Sequence, residues 1–195
     1  MTVVLIAAIQ TWLGLSTDTK PTTPPGGSTF YETDTSATYV YDGSAWQLQP
    51  KVTDGIVVTR AAAALPQTAA AALFTVTGLV LLKRIVGYVT VGIGAVANAT
   101  KIKGNSTGAG ATTDLCTTLD INGHVADSRY EITGTFANAM VRTLDVPLAQ
   151  VQAADIVIPP GTIDLDCAGS DGGVGRVRWS VTYVPLESNA AVVAA

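Results

Sequence analysis

Apolar and polar positions change their period several times along this chain. In residues 1–17, Leu5, Ile9, Trp12 and Leu13 recur at i, i+4, i+7 and i+8, the face of a short helix; a strand over residues 2–6 accommodates the same apolar run. Residues 17–27 hold Pro21, Pro24, Pro25, Gly26 and Gly27, which cannot continue a ladder and read as a linker or loop. Residues 28–49 place Phe30, Tyr31, Tyr39, Tyr41 and Trp46 among threonines and Val40. Breaks at residues 34–37 and at Asp42-Gly43 predict three short strands, 28–33, 37–42 and 45–49. So short a segment cannot bury enough surface alone, and its aromatic face needs a partner: the rest of the chain, a copy, or another protein.

Residues 50–72 contain Pro50, a strand candidate at 55–59 and the run AAAALPQTAAAA, which Pro66 interrupts; they read as a connector with at most one helical turn. From Leu73 the signals are β. Runs rich in Val, Ile, Thr and Leu (73–91, 112–122, 129–137, 140–146, 156–158, 162–168, 175–184) alternate with Gly, Asn, Asp, Ser and Pro clusters. Short strands at such spacing predict an all-β protein, a jelly-roll-like antiparallel β-sandwich. No period of solenoid length repeats. The expected organisation is an N-terminal apolar arm (1–19), a small β segment (20–50), an Ala-rich connector (51–72) and the sandwich (73–195).

One strand pair is predicted in register. Ile163, Leu165 and Cys167 alternate with Thr162, Asp164 and Asp166; Val177, Trp179, Val181 and Tyr183 alternate with Arg176, Arg178, Ser180 and Thr182. Each strand thus has one apolar and one polar face. A turn centred on Asp171-Gly172 sets Asp166 opposite Arg176, Asp164 opposite Arg178 and Ile163 opposite Trp179, so that charge and burial agree.

Ala, Thr, Val and Gly make up about half of the chain, 48% of residues are hydrophobic and only 13% are charged. This excludes a disordered chain. Eleven basic against 15 acidic residues give a net charge of −4, with no excess to attract phosphate, so no nucleic-acid partner is expected. One histidine and three glutamates leave little for acid–base chemistry. Low charge with many β-branched residues suits a protein that buries itself against copies or partners. Residues 1–9 imitate the apolar core of a signal peptide, but the first basic residue is Lys20. Residues 61–82 are uncharged and precede Lys83-Arg84. Alanine content, Pro66, Gln67 and Gly78 favour a strand entering a core over a membrane span.

Candidate chemistry is sparse. Cys116 and Cys167 match no zinc spacing and read as buried free thiols of a reducing cytosol, with a bridge left open. Residues 92–97 imitate the G-x-G-x-x-[GA] fingerprint, with Asp114 and Asp120 near the acidic position, but no crossover helix is readable. Residues 104–110 lack the Lys-Ser/Thr of a phosphate loop. Asp164, Asp166 and Asp171 suggest calcium, yet the first two are better matched to the arginines opposite. His124 precedes Asp127 without a G-x-S-x-G motif and reads as a solvated turn histidine. Asn98-Ala-Thr and Asn105-Ser-Thr fit a glycosylation sequon. No catalytic, cofactor or metal residues are expected.

The segment from Lys20 to Trp46, with Gly27-Ser-Thr-Phe-Tyr-Glu-Thr-Asp-Thr35 and Tyr39-Val-Tyr-Asp-Gly43, resembles a stretch of tailed-bacteriophage virion proteins. Its core there reads G-S-x-F-Y-E-T-D-T-x-x-x-Y-x-Y-D-G-x-x-W. Residues 161–186 and 190–195 are similar to the close of β-sandwich phage structural proteins. The Pro24-Pro25 pair and the Ala-rich stretch depart from many of them. The resemblance implies a non-enzymatic capsid cement or decoration protein on the outer head surface. It would be assembled in the bacterial cytoplasm and contact the major capsid protein and its own copies, as a homotrimer and without a membrane. Trp12, Tyr31, Tyr39, Tyr41 and Trp46 are the expected interface anchors, since aromatics dominate such contacts; packing within the small segment is the alternative for each. Two rivals stand beside this reading: a tail or head fibre protein contacting the host surface, and a carbohydrate-binding module drawing on Glu32, Glu131 or Glu187.

Overall fold

The computed structural model describes residues 9–35, 37–49, 55–108, 112–144 and 152–195, and the chain divides into two compact units, Met1–Asp54 and Gly55–Ala195. All regular structure among the described residues is β.

In the first unit β1 (Thr11–Gly14), β2 (Thr29–Glu32), β3 (Thr38–Tyr41) and β4 (Trp46–Gln49) form one sheet in chain order. Residues 11–14 are therefore strand rather than helix; the alternative strand at residues 2–6 lies outside the described residues. The β3–β4 turn is closed by Asp42, whose Oδ1 accepts the N–H groups of Ser44 and Ala45 at 2.8 Å. Gly43 takes φ +103°, open to glycine without steric cost. β1 pairs with β2 in parallel, whereas the other neighbours are antiparallel. A parallel pair requires a long crossover. The proline-rich residues 15–28 supply it, so the stretch read as a linker is part of the fold.

The second unit is a β-sandwich. Its strands are β5 (Ile56–Ala64), β6 (Ala69–Thr77), β7 (Val80–Val91), β8 (Ala99–Ser106), β9 (Thr113–Asp114), β10 (Leu119–Asp120), β11 (Ser128–Glu131), β12 (Val141–Leu144), β13 (Ile156–Ile158), β14 (Gly161–Cys167), β15 (Arg176–Pro185) and β16 (Ala191–Ala194). One sheet runs β12-β11-β7-β15-β5 with β13 also on β7; the other runs β10-β8-β14-β6-β16 with β9 also on β8. The core between them holds Phe74, Leu82, Ile85, Ile102, Tyr130, Ile163, Leu165, Val181 and Trp179, each buried. Fully burying one such side chain contributes roughly 1.5–3 kcal/mol.

Three expectations about the sandwich are corrected. The Ala-rich connector of residues 51–72 instead supplies all of β5 and the start of β6, joined by a turn at Pro66. Alanine's helical preference is small, and ladder bonds to β15 and β14 override it. Likewise the run 73–91 is two strands, broken at Gly78 (φ +66°) where the chain changes sheets.

The third correction concerns the strand pair. Both strands alternate as expected, with Ile163, Leu165, Cys167, Val177, Trp179, Val181 and Tyr183 all buried. They are not hydrogen-bonded neighbours, however. β14 lies between β8 and β6, and β15 lies between β7 and β5 in the opposite sheet. Asp166 therefore does not meet Arg176, and Asp164 does not meet Arg178. In register Asp164 faces Lys103 and Asp166 faces Lys101, and Asp166 bonds the Lys103 ammonium at 2.5 Å. Arg178 sits 5.2 Å from the Tyr88 ring centroid, and Arg176 turns back onto the carbonyls of Gly173 and Gly175. The cause is the connection at residues 168–175. Asp171 accepts N–H groups from Gly173 (3.0 Å) and Gly175 (2.6 Å) and the Gln67 amide (2.9 Å). This makes a wide arch that crosses the sandwich rather than a tight hairpin.

At the sheet edge, β5 carries Arg60 opposite Trp179, on the inward face, with its Nε bonded to the Ala195 carbonyl at 3.1 Å. Ala61 and Ala62 together oppose Arg178, a bulge. An inward charge and a bulge both blunt an edge against further strand addition.

Candidate functional site

Strand alternation gives the small sheet two unlike faces. Trp12, Phe30, Tyr39, Tyr41 and Trp46 share one, with Glu32. Trp46 is the hub: its ring centroid lies 5.8 Å from Trp12, 6.0 Å from Phe30 and 5.4 Å from Tyr41. The crossover covers this face. Trp46 Nε1 donates to the Pro21 carbonyl (2.8 Å) and the Tyr41 hydroxyl to that of Thr22 (3.3 Å). The Lys20 ammonium sits over Tyr39 at 4.2 Å and Phe30 at 4.9 Å. It also bonds Glu32 at 2.7 Å; with the Thr35 hydroxyl at 2.5 Å, it holds that carboxyl below the usual range.

The structure thus brings four of the expected anchors, Trp12, Tyr39, Tyr41 and Trp46, into one internally packed cluster. Tyr31 alone projects from the opposite face, beside Leu13, Thr29, Thr38 and Val40. Leu13 is 72% exposed. This open face carries apolar surface that the unit's own crossover does not cover. Leu13 and Val40 were not read as contact residues from the sequence, because a lone apolar residue in a threonine-rich strand looks the same on either face.

In the sandwich, the connections at residues 65–68, 92–98, 121–127 and 168–175 gather at one end. Gly123 N–H donates to the Gly94 carbonyl (3.2 Å), Ile93 N–H to that of His124 (2.8 Å) and Thr68 N–H to that of Gly169 (3.2 Å). Val96, Val125 and Val174, on three of these loops, are each at least half exposed. Residues 92–97, which imitate a nucleotide fingerprint, form a sheet-to-sheet connection followed by strand β8. Asp120 is occupied with the N–H groups of Asn98 (2.8 Å) and Asn122 (3.1 Å), which depress its carboxyl pKa, and Asp114 bonds Lys101 at 2.6 Å.

His124 differs from expectation. It is buried, and its Nδ1 lies 2.9 Å from the Tyr130 hydroxyl. Burial and the Arg142 charge lower its pKa, against a weaker opposing pull from Asp120. Ile121 and Ser128, on either side of the turn, are buried with it. Cys116 and Cys167 are buried free thiols; their sulfurs accept from Ile102 N–H (3.4 Å) and the Thr100 hydroxyl (3.6 Å). Burial pushes both up, Cys167 to about 11.

At the other end, Leu115, Phe136, Ile156, Ile158 and Pro159 line a cleft of about 170 Å³. Among the described residues no group of three or more His, Cys, Asp or Glu is placed to hold a metal ion, and no helix is long and apolar enough to cross a membrane. The three glutamates are engaged separately: Glu32 with Lys20, Glu131 with Arg84 and Glu187 with the Leu79 N–H. A scan against protein-family models, a search of the curated proteins and a search of the solved structures each return no match to this chain.

Proposed function

We propose that this chain is a non-enzymatic virion structural protein of a tailed bacteriophage. It is a capsid cement or decoration protein that bridges capsid subunits on the outer head surface as a homotrimer. The observation that carries the reading is apolar surface left open to solvent: exposed Leu13 with half-buried Tyr31 and Val40 on one face of the small sheet, and Val96, Val125 and Val174 on loops at one end of the sandwich. Contiguous exposed apolar surface marks contact sites. The sheet order β5-β15-β7-β11 packed on β6-β14-β8 supports a jelly-roll reading of the sandwich, an architecture recurrent in viral shells and lectins.

The mechanism is burial. A subunit seated across capsomers hides apolar area at about 25 cal/mol per Å², and only the surplus over ordering costs counts. Many copies multiply that surplus, which must be lost before the shell opens. The anchors on this reading are Leu13 and Tyr31 rather than the packed aromatics. A fibre protein contacting the host is the second reading, favoured by the valines at the loop end. The carbohydrate-binding reading draws no comparable support, since the aromatics that would line a groove lie under residues 20–22.

Assembling particles with and without this protein tests the proposal. A cement protein's omission yields shells that open at lower temperature yet still adsorb to host cells. Loss of adsorption with unchanged shell stability supports the fibre reading, and no effect on either refutes both.

A further inference from the structure

We propose that His124 is an acid-sensitive latch: its neutral ring ties two sheet-crossing connections, residues 92–98 and 121–127, to the sandwich core, and its protonation releases them. This inference is independent of any role in a virion. The ring anchors inward through the Tyr130 hydroxyl, 2.9 Å from Nδ1. Tyr130 is 1% exposed and stacks on Trp179 with centroids 6.3 Å apart. The main chain ties sideways: the His124 carbonyl accepts Ile93 N–H at 2.8 Å, and Gly123 N–H donates to the Gly94 carbonyl. One residue thus joins the core to both connections.

The chemistry of that join depends on protonation. In the neutral tautomer that carries its proton on Nε2, Nδ1 accepts the tyrosine proton and both buried groups are satisfied. With imidazolium, Nδ1 becomes a donor, and the tyrosine proton must turn into apolar surroundings. A buried donor without an acceptor carries its full desolvation cost.

The charges facing the ring do not relieve this. From β12 comes Arg142, whose Nε donates to the Ser128 hydroxyl at 3.2 Å. From β10 comes Asp120, whose carboxylate is already engaged by two backbone N–H groups. β11 offers Tyr130, and residues 92–97 carry no ionisable side chain. Asp127, in the same turn, receives the Tyr88 hydroxyl instead.

Burial and Arg142 place the folded-state value below the ordinary 6.5. The unfolded chain then binds the proton more readily. The stability this residue contributes is complete above 6.5 and is lost as pH falls from there toward the folded value.

His124 is the single histidine of the chain, so one imidazole resonance reports it. Proton NMR titration of the full chain is expected to give an apparent pKa below 6.5. Protection factors for residues 92–97 and 121–127 should fall about fivefold or more between about pH 7 and pH 5, while those of β14 and β15 hold. In His124→Gln, which keeps an acceptor but does not titrate, the selective fall should vanish. A pKa at or above 6.5, unchanged protection in both connections, or the same fall in the variant overturns the latch. If the variant does not fold, the wild-type titration and exchange decide.

Discussion

The indole of Trp179 lies against the main chain of Gly87, in the space that any side chain there would need. A Cβ at position 87 would stand 2.7 Å from the ring. Strand interiors ordinarily disfavour glycine, so Gly87→Ala would stabilise an unconstrained strand. Here the sign reverses, because Trp179 is buried between the sheets and cannot withdraw. Gly87→Ala is expected to cost about 1–3 kcal/mol. Urea unfolding monitored by tryptophan fluorescence measures it, as a lower midpoint at unchanged slope.

Asp171 determines where the chain crosses from β14 to β15. Burial by itself would raise its carboxyl, but the Gln67 amide and the N–H groups of Gly175 and Gly173 outweigh it and hold the value below 3.8. The resulting stability is present above the unfolded value and is lost as pH falls through the folded one. Asp171→Asn is expected to cost about 1–3 kcal/mol at neutral pH. It should also flatten the acid limb of a stability–pH curve below about pH 4. An unchanged acid limb in the variant would count against this role.

The two faces of the small sheet predict opposite phenotypes. Trp46→Ala removes the hub of the aromatic cluster, at about 3 kcal/mol for a large aromatic. It should expose residues 9–49 to protease while residues 55–195 stay resistant. Leu13→Ser, on the open face, should change stability by less than about 0.5 kcal/mol. Its expected effect is on association, read as a shift toward monomer in sedimentation velocity. Equal loss of stability in both variants would contradict the assignment of faces.

Arg60 is an inward charge on an edge strand otherwise composed of Ile, Val, Thr and Ala. Replacing it with valine removes that guard. Arg60→Val is expected to leave the fold intact and to aggregate faster on warming, which light scattering follows against the wild type.

Much was decided by the order of residues alone. Alternation of apolar and polar positions along a strand is a local property, set by the pleat, and it identified the β character, most strand positions and the inward faces of Trp179 and Ile163. Turn chemistry at Asp42-Gly43 was equally local. What required the tertiary structure was which strand meets which. Period-2 alternation tells a strand which face is buried, but a neighbour in the same sheet and a neighbour across the core satisfy it equally, so Asp164 and Arg178 looked like partners and lie in opposite sheets. The same degeneracy hid the two faces of the small sheet, because whether Trp46 or Leu13 remains uncovered depends on where residues 15–28 cross. It also hid the burial of His124, which follows from two sheets closing over a turn, a consequence of packing that no local pattern encodes.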